Sequence, residues 1–246
     1  MALYAGAMDD SYLVLDIETV PADASPDDEP EEGERDTFPP LVWQKVVSIG
    51  VLWLDAAMRF KKLGTLGEGK EEAEFLADLH KFMDKHRPQL VTFNGRRFDV
   101  PVIVLRSLVH GLPMRWYFAS QDYRRRYEPT RHVDLCDVLS EHGAGRFPSL
   151  GDMASSIGLP GKLGMDGGDV LGVWREGDME RIHTYCLMDV IQTGFVLMRW
   201  RLVTGKLDVE GYREAASMMR DKVAEDSRFE ELVSSARWDE AMLAGG

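Results

Sequence analysis

The chain has 246 residues, of which 44% are hydrophobic and 29% are charged, as expected for one globular domain with a small appendage. Its longest apolar run, residues 46–54, is shorter than the ~20 residues of a membrane-spanning helix, so no membrane association is expected. No secretory signal is visible at the amino terminus, and Cys136 and Cys186 form neither a disulfide framework nor a metal-binding spacing. A reducing cytoplasm is the simplest predicted location.

The net charge of −13 is unevenly distributed along the chain. Residues 23–36 carry a net charge of −7 and residues 207–246 carry −5, which leaves −1 for the remainder. Binding of nucleic acid relies on Lys and Arg side chains that contact phosphates. Since the acidic excess lies in two peripheral segments, the charge does not exclude a polyanionic partner.

The first part of the chain predicts three strands joined in sequence. Residues 12–17 form a short apolar run rich in β-formers, and residues 45–54 and 58–63 continue the strand pattern. Three strands in succession predict an antiparallel meander. Residues 21–40 are rich in proline and acidic side chains, which predicts a mobile loop.

The next segment changes to a helical period. Residues 71–87 carry apolar side chains on one face, with acids early and bases late, as suits a helix dipole. Pro88 ends this helix, a strand follows at residues 89–93, and a second helix is predicted over residues 99–110.

The second half of the chain is predicted to be mainly helical. A short strand or helix entry around residues 132–139 precedes helical pieces near residues 149–158 and 167–175, and a long helix runs from about residue 178 to residue 200.

The order of these elements predicts an α/β fold, with a mixed sheet that contains the meander and is flanked by helices. We expect one domain over residues 1–205. The strongly charged residues 206–246 are predicted to form a helical carboxy-terminal extension.

Two carboxylates follow each other at the end of the first predicted strand. Alternation along a strand places Asp16 and Glu18 on the same side. Two such carboxylates repel each other unless a cation lies between them, and hard divalent cations such as Mg²⁺ prefer oxygen ligands. The alternative for an isolated pair is simple solvation at a strand end.

A third carboxylate follows the strand at residues 89–93. Asp99 ends the sequence NGRRFD and lies in the first turn of the predicted helix, where the helix dipole favours a negative charge. Alone, it is equally well explained as an ordinary helix-start acid.

The long helix carries the last pair, Tyr185 and Asp189. A separation of four residues stacks the phenol and the carboxylate on one helix face. Since the surrounding residues are mostly apolar, Asp189 is predicted to be buried, which costs free energy unless it is paired or bound to a metal. A salt bridge to an arginine is the alternative. Cys186 is interpreted as a packing residue.

Taken together, D-x-E, N-x-x-x-F-D and Y-x-x-x-D resemble the motifs of the DEDD exonuclease superfamily. VLDIETVP, FNGRRFDVPVI and HTYCLMDV resemble more closely the predicted stand-alone 3′→5′ exonucleases related to the proofreading domain of family B DNA polymerases. The histidine subclass has His five residues before the last Asp, where this chain has Thr184, and His183 does not fit. Tyr185 therefore indicates the tyrosine subclass, DEDDy. The resemblance covers roughly residues 11–205.

The resemblance implies an RNase H-like fold and hydrolysis of phosphodiester bonds with two metal ions. Asp16, Glu18, Asp99 and Asp189 would hold two Mg²⁺ or Mn²⁺ ions about 4 Å apart. Tyr185 would orient the attacking water, and the product would be a nucleoside 5′-monophosphate. The expected substrate is the 3′ end of single-stranded DNA.

Several further residues are candidates for substrate binding. The resemblance implies that Thr19 contacts the substrate and that Asn94 and Phe98 position the terminal nucleotide or pack beneath Asp99. Residues 115–131 interleave arginines, among them Arg124 and Arg125, with aromatic side chains, a pattern that grips single-stranded nucleic acid. A solvated loop paired with the acidic residues 23–36 is the alternative.

Asp134 could approach the site, but a helix cap is favoured. Two other functions remain open: an exoribonuclease that trims RNA 3′ ends, and a silent nucleic-acid-binding or scaffolding domain. The oligomeric state is not predicted.

Overall fold

The computed structural model describes residues 10–24, 39–128 and 130–244. Its strands form one five-stranded sheet. The sheet order is β3-β2-β1-β4-β5. The strands are β1 (Tyr12–Pro21), β2 (Gln44–Leu54), β3 (Phe60–Leu66), β4 (Gln89–Thr92) and β5 (His132–Asp134). The first three strands pair antiparallel, and β4 and β5 are parallel to β1. The predicted meander and mixed sheet are confirmed.

Helices cover both faces of this sheet. They are α1 (Glu72–His86), α2 (Asp99–Val109), α3 (Arg115–Phe118), α4 (Leu135–Leu139), α5 (Leu150–Ser156), α6 (Val170–Arg175), α7 (Met179–Val203), α8 (Val209–Ala224), α9 (Glu230–Ser235) and α10 (Trp238–Ala241). Among the described residues, no helix combines the length and the hydrophobicity that crossing a bilayer requires.

Alternate residues of β1 belong to two different apolar clusters. Leu13, Leu15 and Ile17 pack with the apolar faces of α1 and α2. Tyr12 and Val14 point to the other side, where they pack with α7 and α8. Since side chains alternate along a strand, Asp16 and Glu18 share the face that α7 covers.

β1 is longer than the sequence predicted. The apolar pattern ends at Ile17, but the ladder to β2 continues as far as Pro21, which pairs with Gln44. A proline is tolerated there because a strand end needs no further ladder donor. Asp16 and Glu18 therefore lie inside β1, not at its end. Residues 25–38 of the predicted acidic loop lie outside the described residues.

The boundaries of β3 also differ from the prediction. Met58 was expected to begin this strand, but it lies in the turn from Asp55, with a φ of 65° and a backbone N–H that donates to Asp55 O. Its side chain is nevertheless buried. The sequence prediction assigned Met58 to the strand because it is apolar, but it is a buried residue of the turn. β3 runs instead from Phe60 to Leu66.

The carboxy-terminal helices pack on the rest of the chain. Tyr212 and Met219 of α8, together with Phe229 and Leu232, are buried in the same apolar cluster as α7. The division at residue 205 stays a prediction. The residues before and after residue 205 contribute side chains to one apolar cluster. Charged helices that merely lay on the surface would not share buried side chains with the rest of the chain.

Candidate active site

The face of β1 that α7 covers carries the first two candidate carboxylates. Glu18 is buried and Asp16 is partly buried. A bulge follows Glu18, since it pairs with Ser48 whereas the next residue, Thr19, pairs with Val46. One potential ligand atom each from Asp16, Glu18 and Cys186 lies within 4.8 Å of the others. The expected juxtaposition of Asp16 and Glu18 is therefore present.

Asp99 joins this pair from the first turn of α2. Its carboxylate oxygen Oδ1 accepts a hydrogen bond of 3.2 Å from the backbone N–H of Ile17, between the two strand carboxylates. The side chain is 3% exposed. The alternative of an ordinary solvated acid at a helix start does not apply, because Asp99 is buried. Its bond to Ile17 joins the start of α2 to β1.

Asp134 orders the loop that leads to Asp99. It caps α4, as predicted, by accepting from the backbone N–H of Asp137. It also accepts 2.8 Å hydrogen bonds from the backbone N–H groups of Asn94 and Arg96. Asn94 has a φ of 67°, a left-handed conformation that Asn adopts more readily than most residues. This second role of Asp134 was not predicted, because it joins residues distant in sequence.

Tyr185 and Asp189 approach the other carboxylates on α7, one turn apart. Both are partly buried, and the interaction with Tyr185 lowers the pKa of Asp189. Between them, Cys186 is fully buried and its Sγ accepts a 3.1 Å hydrogen bond from Gly50 N. The same sulfur lies 3.8 Å from Asp16 Oδ2. Cys186 is thus packed, as predicted, and also contacts a candidate ligand.

The close approach of α7 to the sheet requires glycine at position 50. A Cβ atom there would lie 2.9 Å from Cys186 Sγ and 2.9 Å from Val190 Cγ2. Gly50 is also the β2 partner of Asp16. The missing side chain therefore sets the distance between α7 and the carboxylates of β1.

His183 is engaged elsewhere. Its ring atom Nδ1 forms a 2.8 Å hydrogen bond with Ser48 Oγ, and the residue is 5% exposed. Burial lowers the pKa of His183. This arrangement agrees with the sequence argument that His183 does not replace Tyr185.

The four carboxylates disfavour one another's charged forms. Burial raises the pKa of Asp16 well above its usual value, and the charges of Asp99, Glu18 and Asp189 raise it further. Burial, Asp189 and Asp99 likewise raise the pKa of Glu18. Burial brings the pKa of Asp99 to about 7 and that of Asp189 to about 6. Such a cluster of oxygen donors fits a divalent cation, which would favour all four charged forms.

A pocket of about 270 Å³ opens beside Glu18. Thr19 and Phe98 line it, together with Gln44 and Leu171. The Thr19 hydroxyl donates a 2.8 Å hydrogen bond to Gln44 Oε1. Two of the predicted substrate-binding residues therefore flank one cavity next to a candidate ligand.

The other predicted substrate-binding residues lie in different surroundings. Asn94 is exposed and lines a smaller pocket of about 140 Å³. Arg125 forms an ion pair of 3.3 Å with Glu128, and the Arg124 guanidinium lies 5.5 Å from the Phe118 ring centre. Neither arginine lines the pocket beside Glu18. Their contact with substrate stays a prediction, and the alternative pairing with residues 23–36 concerns mostly residues outside the described part.

Lys162, which the sequence did not single out, lies near Asp189. Its ammonium lowers the pKa of Asp189, against the effect of burial. No local motif could have indicated this, because Lys162 lies on the loop between α5 and α6, 27 positions before Asp189.

A known protein family matches most of this chain. A family described as predicted 3′-5′ exonuclease related to the exonuclease domain of PolB matches residues 36–240. The chain belongs to this family. The prediction of a 3′→5′ exonuclease, a hydrolase, is thereby confirmed at the family level. The match begins after Asp16 and Glu18 and extends through most of the carboxy-terminal extension, which the sequence resemblance had left out. No curated protein matches the chain.

The chain is similar to two solved structures. The family B DNA polymerase of Pyrobaculum calidifontis has a TM-score of 0.57 and 17% identity, over 87% of this chain and 29% of the polymerase. A structure of exonuclease I has a TM-score of 0.45 and 12% identity, over 87% of this chain and 43% of that one. The chain thus spans less than half of either protein. The polymerase likeness confirms the predicted RNase H-like fold.

Proposed function

We propose that this chain removes nucleotides from the 3′ end of single-stranded DNA by hydrolysis that depends on divalent metal ions. The observation that carries the proposal is the convergence of Asp16, Glu18, Asp99 and Asp189 at one point between β1, α2 and α7. A scaffolding or silent binding domain would have no need for mutually repelling carboxylates that are buried or partly buried.

The four carboxylates would hold two Mg²⁺ or Mn²⁺ ions, as the donor set favours hard cations. Such ions, when bound, activate water and stabilise the charge of the leaving 3′-oxygen. Tyr185, in the manner of the tyrosine subclass, would orient the attacking water through its hydroxyl, whose pKa is raised by burial and by Asp189. That phenol stays protonated, so it acts as a hydrogen-bond donor or acceptor and not as a phenolate.

The pocket beside Glu18 is where we expect the 3′-terminal nucleotide to bind. Phe98 and Leu171 offer an apolar wall, and Thr19 offers a polar group held by Gln44. An unpaired base can insert between such walls without a partner strand. The relation of the family to PolB favours DNA over RNA.

The proposal is tested with 5′-labelled single-stranded DNA and RNA of the same sequence, incubated separately with Mg²⁺ or Mn²⁺. The expected result is a ladder of DNA shortened from the 3′ end. Degradation of RNA alone would instead favour an exoribonuclease. If neither strand is shortened with either metal, the chain is not an exonuclease of this kind, and the binding-domain hypothesis replaces it.

A further inference from the structure

A single sulfur atom lies among the oxygen atoms of the candidate site. Cys186 Sγ lies 3.8 Å from Oδ2 of Asp16 and 3.5 Å from the backbone oxygen of the same residue. One potential ligand atom each from Asp16, Glu18 and Cys186 lies within 4.8 Å of the other two, and the described residues form no second group of this kind. Since Cys186 and Asp16 are 170 positions apart, no spacing in the sequence indicated this group.

The surrounding backbone fixes the position of this sulfur. Cys186 is fully buried on α7, and its Sγ accepts a 3.1 Å hydrogen bond from the backbone N–H of Gly50. Position 50 has no side chain, and a Cβ atom there would lie only 2.9 Å from the sulfur. Hydrogen bonds of this kind orient the atoms that bind a metal ion. The sulfur is therefore already oriented before an ion arrives.

Glu18, another member of the group, has a carboxylate without a partner. The residue is 6% exposed, and among the described residues neither a hydrogen bond nor an ion pair reaches its side chain. A buried carboxylate in this state costs free energy unless a cation binds it. Because Glu18 also lines the pocket of about 270 Å³, an ion can reach it from solvent.

The distance between the sulfur and Asp16 suits a thiophilic cation, one that prefers sulfur ligands. Zn²⁺ binds thiolate sulfur at about 2.3 Å and carboxylate oxygen at about 2.0–2.2 Å, so two ligands of one tetrahedral ion lie roughly 3.5 Å apart. The observed distance from Sγ to Oδ2 is 3.8 Å. The carboxylate of Glu18, which no hydrogen bond holds, can rotate to complete the group.

Mg²⁺ has no use for the sulfur. It requires oxygen ligands in a nearly octahedral arrangement, whereas thiolates select ions such as Zn²⁺. Both kinds of ion would nevertheless need the carboxylate of Asp16. An ion held between Cys186 and Asp16 therefore occupies a ligand that Mg²⁺ requires.

We propose that Asp16, Glu18 and Cys186 bind a thiophilic divalent cation such as Zn²⁺, and that this ion competes with Mg²⁺ and inhibits hydrolysis. As the ion binds, the thiol proton passes to solvent and the sulfur binds as a thiolate. Three protein ligands leave the fourth tetrahedral position to water. The inhibition rests on the proposed function, because it assumes that Mg²⁺ at the same carboxylates supports hydrolysis.

The first test is spectroscopic and does not depend on activity. Metal-free protein is titrated with Cd²⁺, which gives a sulfur-to-metal charge-transfer absorption when a thiolate binds it and none with carboxylates alone. Wild type is compared with Cys186→Ser, Cys186→Ala and a matched control, Cys136→Ser. Cys136 is the other cysteine, 3% exposed on α4 and outside the group. We expect the absorption in wild type and in Cys136→Ser, and its loss in both Cys186 variants.

The second test measures the affinity for Zn²⁺ by calorimetry. Loss of an outer-shell partner weakens metal binding by about 10- to 100-fold, and loss of a direct ligand should have at least the larger effect. Zn²⁺ affinity should therefore fall by about 100-fold or more in Cys186→Ser and stay at the wild-type value in Cys136→Ser. The Zn²⁺ concentration that halves hydrolysis with Mg²⁺ should rise in parallel in Cys186→Ser.

The outcomes separate this inference from the proposed function. Charge-transfer absorption that is absent from wild type, that persists in the Cys186 variants or that is lost equally in Cys136→Ser would overturn the inference. Wild type that shortens DNA with Mg²⁺ but shows no such absorption would contradict the inference alone. Wild type that shows the absorption only while Cys186 is present, but shortens no strand with Mg²⁺ or Mn²⁺, would contradict the proposed function and leave the thiophilic site standing.

Discussion

The backbone N–H of Ile17, the residue between Asp16 and Glu18, donates a hydrogen bond of 3.2 Å to Oδ1 of Asp99. This bond joins the first two sequence motifs through the main chain, so that α2 cannot shift along β1 without breaking it. The atom that accepts this bond is Oδ1 and not Oδ2. One carboxylate thereby serves both as a structural anchor and as a candidate ligand.

Substitutions at Asp16 and Tyr185 should have unequal effects on hydrolysis. Asp16→Asn removes a charged ligand and should lower kcat by roughly 100- to 1000-fold. Tyr185→Phe removes only the hydroxyl and should retain measurable activity. Steady-state kinetics on a 5′-labelled oligonucleotide would measure both. Wild-type rates for both variants would show that the site is wrongly assigned.

The same substitution should stabilise the metal-free protein. Asp16→Asn removes a partly buried carboxylate whose pKa is raised by desolvation and by Asp99, Glu18 and Asp189. The Tm in EDTA at pH 8 is therefore expected to rise, since a charge that repels its neighbours is lost. Lower Tm in Asp16→Asn than in wild type would mean that this carboxylate is paired and not repelled.

The contribution of Asp99 and Asp189 to the stability of the metal-free protein should fall as the pH rises. The folded-state pKa values of Asp99 and Asp189, about 7 and about 6, lie above those of the unfolded chain, about 4. The folded protein binds more protons at these two carboxyls in this interval, so their contribution to the free energy of unfolding decreases between about pH 4 and pH 7, whereas that of His80, whose pKa burial lowers to about 4, increases. Thermal unfolding in EDTA across this range, compared between wild type and Asp99→Asn, isolates the contribution of Asp99.

Divalent ions should reverse that trend, because they favour the charged carboxylates. Adding Mg²⁺ is expected to raise the Tm at pH 8 and to leave it nearly unchanged at pH 4.5. An equal shift at both pH values would place the bound ions somewhere other than at the carboxylate cluster.

Gly50→Ala should separate α7 from the sheet. The added Cβ would meet Cys186 and Val190 at 2.9 Å, and overpacking of this kind costs about 1–3 kcal/mol. Since the strain lies between Asp16 and Asp189, kcat should fall markedly, whereas the free energy of unfolding should fall only by this amount. Urea unfolding and kcat measure the two effects. Gly172→Ala on α6, which has open space around its Cβ, is the matched control and should change neither.

The carboxy-terminal extension should contribute to the stability of the whole chain. Met219 of α8 is fully buried against the α7 cluster, and Met219→Ala should cost about 2–5 kcal/mol. Lys222→Ala, at an exposed position on the same helix, should cost far less. A single urea transition that shifts as a unit would support one cooperative core. Separate transitions would instead support an independent domain that ends near residue 205.

Local patterns predicted the elements that carry the site, but not the contacts between them. The apolar run before Asp16, the helix start at Asp99 and the four-residue spacing of Tyr185 and Asp189 were readable because each depends on neighbouring residues. The bond from Ile17 to Asp99 and the Gln192 contacts with Gly161 join distant segments, and nothing in the spacing of a single sequence encodes them.

The two errors in the predicted strand boundaries, at the end of β1 and at the start of β3, have the same origin. β1 continues past Ile17 because β2 supplies partners as far as Gln44, although the sequence there turns polar. Met58 imitated a strand residue because the core buries it from a turn. In both cases tertiary contacts overrode the local pattern.

The most direct test of the carboxylate site is the chemical identity of the first product released from a single-stranded DNA of defined sequence. Mass analysis of a reaction quenched after one turnover should detect the 3′-terminal nucleoside 5′-monophosphate with Mg²⁺ or Mn²⁺, and none with EDTA or with Asp16→Asn. A nucleoside 3′-monophosphate, or release that persists undiminished in EDTA, would contradict metal-dependent 3′→5′ hydrolysis at Asp16, Glu18, Asp99 and Asp189.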